Sequence, residues 1–339
     1  MTQSRTVAFS KHSTNLFFHI LTQCNLKCRH CYINPAQHGQ NTLPLSTIKA
    51  WLEAFAKNSN SKNLIFLGGE PTLHPELAAA VTHARGLGFG SITIDTNGYL
   101  FGDILSKVTP AAVDYFSFSL DGATRDTNDR IRGKGSYDTC LAGIRRAIDA
   151  GFATSLIYTV SRSNIHELEM MAPLLDNLGV TRFFIQVIGL RGKSALAAGD
   201  SQSPESPQVS RSQWLATVPG IARMIAERGL IVTYPKVFLN PAEKFECAGT
   251  VADNYFVFPN GRVYRCPLCE DFPVHSLCFA ENQLAPTAKL NEQDFFQLDI
   301  PEGCVMNKLI QPHNISYNEQ GAPEYKIACC LLKEEISGG

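Results

Sequence analysis

Between residues 15 and 190, short apolar runs alternate with longer amphipathic stretches. NLFFHIL (15–21), NLIFLG (63–68), SITIDT (91–96), DYFSFSL (114–120), ATSLIYTV (153–160) and RFFIQVI (182–188) read as strands. Each is short, rich in β-branched or aromatic residues, and bounded by turn residues. LSTIKAWLEAFAK (45–57), PELAAAVTHARGLG (75–88) and IHELEMMAPLLDNLG (165–179) repeat apolar residues at helical spacing. Strands alternating with helices predict an α/β fold of βαβ units around a parallel sheet. Six repeats fit a TIM-like partial (β/α)6 barrel or an open doubly wound sheet. In such barrels the chemistry gathers at the C-terminal strand ends.

Beyond this region the pattern changes. KSALAAGDSQSPESPQVSRS (193–212) is rich in Ser, Ala, Pro and Gln and reads as a linker. A helix is predicted over 213–229 and a strand over 230–235. From residue 236 cysteines become frequent, and FVFPNGRVY (256–264) reads as two short strands around a Pro-Asn-Gly turn. The predicted organisation is an N-terminal extension (1–14), a barrel with linker and helix (15–235) and a small cysteine-rich α+β domain (236–339). The terminal SGG is expected to fray.

The chain has 339 residues, 44 % hydrophobic and 18 % charged, enough to build a sizeable core. A net charge of −1 gives no basic excess for nucleic acid or an anionic membrane. The N-terminal residues hold no long apolar h-region, and no apolar run reaches about 18 residues. The expectation is a cytoplasmic protein with neither nucleic-acid nor membrane partner. In a reducing compartment eleven cysteines point to metal. Cys24, Cys28 and Cys31 form one set. Cys247, Cys266, Cys269, Cys278, Cys304, Cys329 and Cys330 form another, and Cys140 reads as a small buried hydrophobe.

The first set lies in TQCNLKCRHCY, a C-x3-C-x2-C spacing directly after the first strand. Structural zinc and ordinary four-iron clusters take four protein ligands, so three leave a coordination position open. A zinc knuckle completed by His30 is the rival reading. GGEPTLHPEL (68–77) follows the second strand, DTNGYL (95–100) the third, and SLDGATRDTNDRIRGKGSYD (119–138) the fourth. Together these motifs resemble the radical S-adenosylmethionine (SAM) superfamily over roughly residues 15–190.

The resemblance implies a [4Fe–4S] cluster on Cys24, Cys28 and Cys31, with SAM on the open iron. It also implies reductive cleavage of SAM to methionine and a 5′-deoxyadenosyl radical that takes a substrate hydrogen. The backbone and carboxylate of Gly68, Gly69 and Glu70 would face the SAM ammonium, and the main chain of Tyr32 the adenine. Thr96 and Asn97 match the T-N-G turn, and Ser119 a contact to ribose or carboxylate. Arg130 or Arg132 would pair with the SAM carboxylate, and Gln186 and Gly189 would support the adenine. An electron donor such as flavodoxin or ferredoxin is implied. The glycines of GLGFGS (86–91) read as a helix end and a turn.

In the second set, thirteen residues lie between Cys247 and Gly261, and four between Gly261 and Cys266. This looks like the opening of the SPASM or shorter twitch domains. The later cysteines are too irregular for two clusters and suit one auxiliary [4Fe–4S] cluster, held by Cys247, Cys266, Cys304 and one of Cys269 or Cys330. In an extended YKIACCLL, Cys329 and Cys330 would point to opposite faces. Zinc on Cys266, Cys269, His275 and Cys278 is the rival. Asp253, with Tyr255, is a candidate for proton or hydrogen transfer. The expected function is oxidative modification of a peptide or protein side chain. The alternatives are the same chemistry on a small molecule (sugar, nucleoside or cofactor precursor), or an iron–sulfur electron carrier or zinc-binding interaction module.

Overall fold

A computed structural model of the chain describes residues 2–57, 61–197 and 207–338. Residues 198–206, the middle of the stretch read as a linker, and Gly339 of the terminal SGG lie outside the described residues.

The strands are β1 (Gln3–Val7), β2 (Ser13–His19), β3 (Ser61–Leu67), β4 (Ser91–Thr96), β5 (Tyr115–Ser119), β6 (Thr154–Val160), β7 (Arg182–Val187), β8 (Ile231–Pro235), β9 (Phe238–Leu239), β10 (Asp253–Val257), β11 (Arg262–Tyr264), β12 (Leu277–Ala280), β13 (Gln283–Pro286), β14 (Lys326–Ile327) and β15 (Lys333–Ser337). Neighbours from β2 to β8 pair in parallel, in chain order. The fold is a mixed α/β architecture whose parallel strands are consistent with a partial barrel. Burial alternates along these strands. In β4, Ile92 and Ile94 are buried in the main core while Ser91, Thr93 and Asp95 are half-buried on the other face. In β6, Leu156 and Tyr158 take the core side, and Ser155 and Thr159 the other. One face therefore packs on helices such as Leu45–Ala56 and Leu77–Gly86, and the opposite face lines a partly polar interior.

Three features differ from the expectation. The strand predicted at 230–235, β8, pairs in parallel with β7, so among the described residues the parallel run in chain order has seven members, β2 to β8, rather than six. The N-terminal extension carries β1, whose polar, exposed residues give no alternating signal and which pairs antiparallel with β15. The helix predicted over 165–179 begins as a 3-10 turn at Ile165–Glu167 and becomes α-helical only at Met171–Leu178, with Pro173 in the first turn, where its missing N–H is harmless.

The change of character near residue 236 does not divide the sheet. β10 pairs in parallel with β2, and β15 pairs antiparallel with β8, so the C-terminal segment adds strands at both edges of the parallel run. The β10–β11 hairpin turns at Gly261, whose φ of +85° suits a residue without Cβ. A second, smaller core gathers Phe256, Phe258, Tyr264, Leu268, Phe296 and Met306. Among the described residues no helix is long and apolar enough to cross a membrane.

Candidate active site

The loop bearing the first three cysteines leaves β2 and lies against the end of β3. Ile20 N donates to Leu67 O (3.1 Å), Gly69 N to Leu21 O (3.1 Å) and Glu70 N to Gln23 O (2.9 Å). Glycine permits this approach. A Cβ on Gly68 would stand 2.5 Å from Leu21 O, and one on Gly69 only 2.2 Å from Gln23 O. Two helices also hold the loop: Lys193 N, opening helix Lys193–Ala197, donates to Cys31 O (2.9 Å), and Arg29 N donates to Ile131 O of helix Arg125–Arg132 (2.9 Å). Cys24, Cys28 and Cys31 are half-buried. Leu26 N donates to Cys24 Sγ (3.3 Å), and Asn97 Nδ2 lies 3.8 Å from it.

Glu70 is fully buried. Its Oε1 accepts from Thr72 N (3.1 Å) and from the hydroxyls of Thr72 (2.6 Å) and Thr96 (2.9 Å), and its Oε2 accepts from Asn97 N (2.7 Å). Burial pushes its pKa up against these hydrogen bonds. Four protein donors engage this carboxylate, three at Oε1 and one at Oε2, and it ties the end of β3 to the end of β4.

Arg132 is buried with its Nε 2.6 Å from Asp121 Oδ2, whereas Arg130 is exposed. His30 Nε2 lies 3.2 Å from the same Asp121 oxygen, so its ring turns to the carboxylate. Burial alone would raise Asp121, but Arg132 and His30 reverse this and hold it below the usual carboxylate range. Ser119 ends β5, its carbonyl 3.6 Å from the Cys140 thiol; Gln186 on β7 accepts from the Thr159 hydroxyl (3.4 Å). Gly189 lies beside Arg191.

Tyr32 carries a network that sequence reasoning missed. Its hydroxyl lies 2.7 Å from His19 Nε2, and His19 Nδ1 lies 3.0 Å from Val257 O. A carbonyl only accepts, so Nδ1 carries the proton and Nε2 accepts from the tyrosine. The Arg191 guanidinium sits 5.0 Å from the Tyr32 ring centre and donates to Glu270 Oε2 (2.6 Å) and Pro267 O (2.8 Å). Asp271 accepts from Gly192 N (2.7 Å) and Asn34 Nδ2 (3.1 Å). The Phe258 ring is stacked between His19 (4.1 Å) and His38 (3.9 Å). Burial lowers the two imidazoles to about 3 and about 4 and raises Glu270 to about 8. These contacts bind the first cysteine loop to the segment after Cys266.

Cys247, Cys266, Cys304, Cys329 and Cys330 line one pocket. Three of them directly precede a helical turn: Ala248–Val251 after Cys247, Pro267–Cys269 after Cys266, and Val305–Ile310 after Cys304. Burial pushes the Cys247 and Cys304 thiols up to about 11 and about 12, against the opposing pull of nearby backbone N–H groups of Gly249, Thr250 and Asn307. The reading of an extended Cys329–Cys330 pair is corrected. The segment turns there, with Leu332 N donating to Cys329 O (2.9 Å), so both residues reach the pocket. Cys269 is buried against the Cys266 thiol, outside the pocket lining. Cys278 lies on β12 opposite Arg262. Among the described residues no three His, Cys, Asp or Glu side chains converge on one ion. Thiolates that each bind a different iron stand further apart than ligands sharing one ion.

Asp253 lies apart from these residues. As the first residue of β10 it pairs with Thr14 near the start of β2, at the end of the strand remote from the cysteine loop. It sits 3.3 Å from Arg265 Nη2.

A family model described as the radical SAM superfamily matches residues 19–175. A probable GTP 3′,8-cyclase of Saccharolobus islandicus is 27 % identical over 273 residues, spanning 78 % of this chain and 86 % of that protein. The Fe-coproporphyrin III synthase of Methanosarcina barkeri is 30 % identical over 206 residues, 60 % of this chain and 51 % of that protein. In fold, the chain resembles Streptococcus suis SuiB bound to precursor peptide SuiA (TM-score 0.62, 14 % identity, 88 % of this chain and 67 % of that one). It also resembles anSMEcpe with bound AdoMet (TM-score 0.60, 12 % identity, 91 % and 85 %).

Proposed function

Because the chain belongs to the radical SAM superfamily of enzymes, we propose that Cys24, Cys28 and Cys31 hold a [4Fe–4S] cluster whose fourth iron binds SAM, and that the enzyme removes a hydrogen atom from its substrate. The carrying observation is the docking of three half-buried thiols onto the Gly-Gly-Glu segment of the next strand. The donor set fits: three thiolates and one open position. Bound there, cluster and SAM supply the 5′-deoxyadenosyl radical. The chain's own residues position and shield. Glu70 fixes two strand ends, Asn97 lies against Cys24, and buried Arg132 brings a positive charge beside the loop.

The pocket of five thiols supports an auxiliary cluster on Cys247, Cys266, Cys304 and one of Cys329 or Cys330, within a twitch-like segment after residue 236. Its backbone N–H donors suit thiolate sulfur. A flavodoxin or ferredoxin is the proposed electron source. The first substrate reading is a peptide or protein side chain, in keeping with the peptide-bound neighbour SuiB. The second is a small molecule, favoured by the cyclase and synthase relatives. The test is anaerobic reconstitution followed by SAM addition. A spectroscopic change at the open iron and formation of 5′-deoxyadenosine are expected. Unchanged spectra would refute the reading.

A further inference from the structure

Two charged residues on the inner face of the strand array take no part in the contacts described so far. Asp95 shares the half-buried face of β4 with Thr93, and Ser117, its register partner on β5, favours its charged form. Lys333 opens β15 opposite Pro235 of β8. One same-face step along, Glu335 pairs with Thr233, which in turn pairs with Phe184 of β7. The Lys333 ammonium accordingly lies 4.6 Å from the centre of the Phe184 ring. A cation over an aromatic face is only partly compensated for lost water.

Among the described residues no ion pair reaches Lys333 or Asp95. Glu335, the acid on the same face of β15 as Lys333, pairs with Arg5, and Glu334, on the other face, lies 4.0 Å from Lys236. Yet each feels the other's charge. Asp95 supports the charge of Lys333, Lys333 lowers Asp95, Cys330 also bears on Lys333, and Glu70 on Asp95. The two groups thus occupy the interior between the first cysteine site and the second. Burial raises Asp95 to about 7 and lowers Lys333. A half-buried ammonium with no ionic partner is incompletely compensated, and a ligand is one way to complete it.

We infer that Lys333 is a substrate-recognition residue that takes an anionic oxygen group, a carboxylate or a phosphate, while Asp95 and Ser117 face a neighbouring N–H or O–H of the same molecule. This rests on the reading of the interior as the reaction chamber. It extends that reading by giving the substrate a charge and a polarity.

Calorimetric titration of the reconstituted protein tests it in two arms, one with inorganic phosphate and pyrophosphate, the other with acetate and glutarate. One arm binds the wild-type protein. Lys333→Met weakens that binding about tenfold or more, as expected for losing a charged hydrogen bond. Lys333→Arg stays within a few-fold, and Asp95→Asn, which removes the opposing charge, tightens binding. Lys333→Gln replaces Lys333→Met if thermal melting shows the latter misfolded. Absence of binding in both arms, or equal binding by wild type and Lys333→Met, overturns the inference. In the Lys333 variants the spectral response to SAM stays as in wild type. A wild-type protein that binds the anion but gives no SAM response would overturn the proposed function and leave Lys333 as an anion site.

Discussion

The two cysteine regions are built by opposite strategies. Cys24, Cys28 and Cys31 lie within eight residues of one loop, half-buried and clamped by backbone hydrogen bonds from neighbouring elements. The second pocket is assembled from four separate segments at 247, 266, 304 and 329–330, and most of its thiols are buried. The first site can therefore be preformed by the barrel and still admit a ligand at its open side. The second depends on a small core that only long-range contacts create, and it offers enough thiols to close a cluster. A fixed open loop suits a reacting partner, and a closed, dispersed pocket suits a held one.

The largest expected effect separates the two. Replacing Cys24, Cys28 and Cys31 together with alanine should abolish 5′-deoxyadenosine formation and remove about four irons, leaving about four in the C-terminal pocket. Iron and sulfide counting checks this, and loss of all iron would show that the second pocket holds none of its own. Next, Arg191→Met should strike both regions. It leaves Glu270 Oε2 and Pro267 O without their donor and releases Tyr32, a loss of about 1–3 kcal/mol seen in thermal melting. Unchanged melting would mean that the two sites are not bound together here. Gly69→Ala should act on the first region alone. A methyl 2.2 Å from Gln23 O must push the loop away, at about 1–3 kcal/mol, and weaken SAM binding while the iron content of the second pocket stays constant.

The smallest effect concerns the packing between them. His19 and His38 are held neutral by burial, with pKa values of about 3 and about 4 against 6.5 in the unfolded chain. Their stabilisation is complete above about pH 6.5 and is lost as pH falls through about 4, because the unfolded chain then binds more protons. His38→Asn should flatten the fall in melting temperature between those values, and an unaltered slope would place the acid sensitivity elsewhere.

The first region was largely legible because its information is local. Three thiols, Gly-Gly-Glu and the T-N-G turn each follow a strand whose own pattern is visible, so their convergence follows from topology. The roles of the glycines and of Glu70 were less legible. Gly68 and Gly69 make room for Leu21 and Gln23, and Glu70 binds Thr72, Thr96 and Asn97, contacts that appear only once strands are side by side. Arg191 and Glu270 carried no motif, and Asp121, inside the quoted 119–138 stretch, was given no role, since each acts through a partner from another element. Arg191 and Glu270 are 79 positions apart. The turn at Cys329–Cys330 and the pairing of β10 with β2, which puts Asp253 at the strand end remote from the cysteine loop, arise from contacts that local pattern does not encode.

The strand β15 has a consequence for how the molecule comes into being. It fills the gap between β8 and β1, and its ion pair from Glu335 to Arg5 joins positions 330 apart. A growing polypeptide cannot complete this sheet until β15 has been synthesised, and until then β8 displays an open row of amides. Nascent chains stalled or clipped before residue 333 should therefore self-associate through that row, and the same late strand would deliver Lys333 to the interior only when the vessel around it is finished.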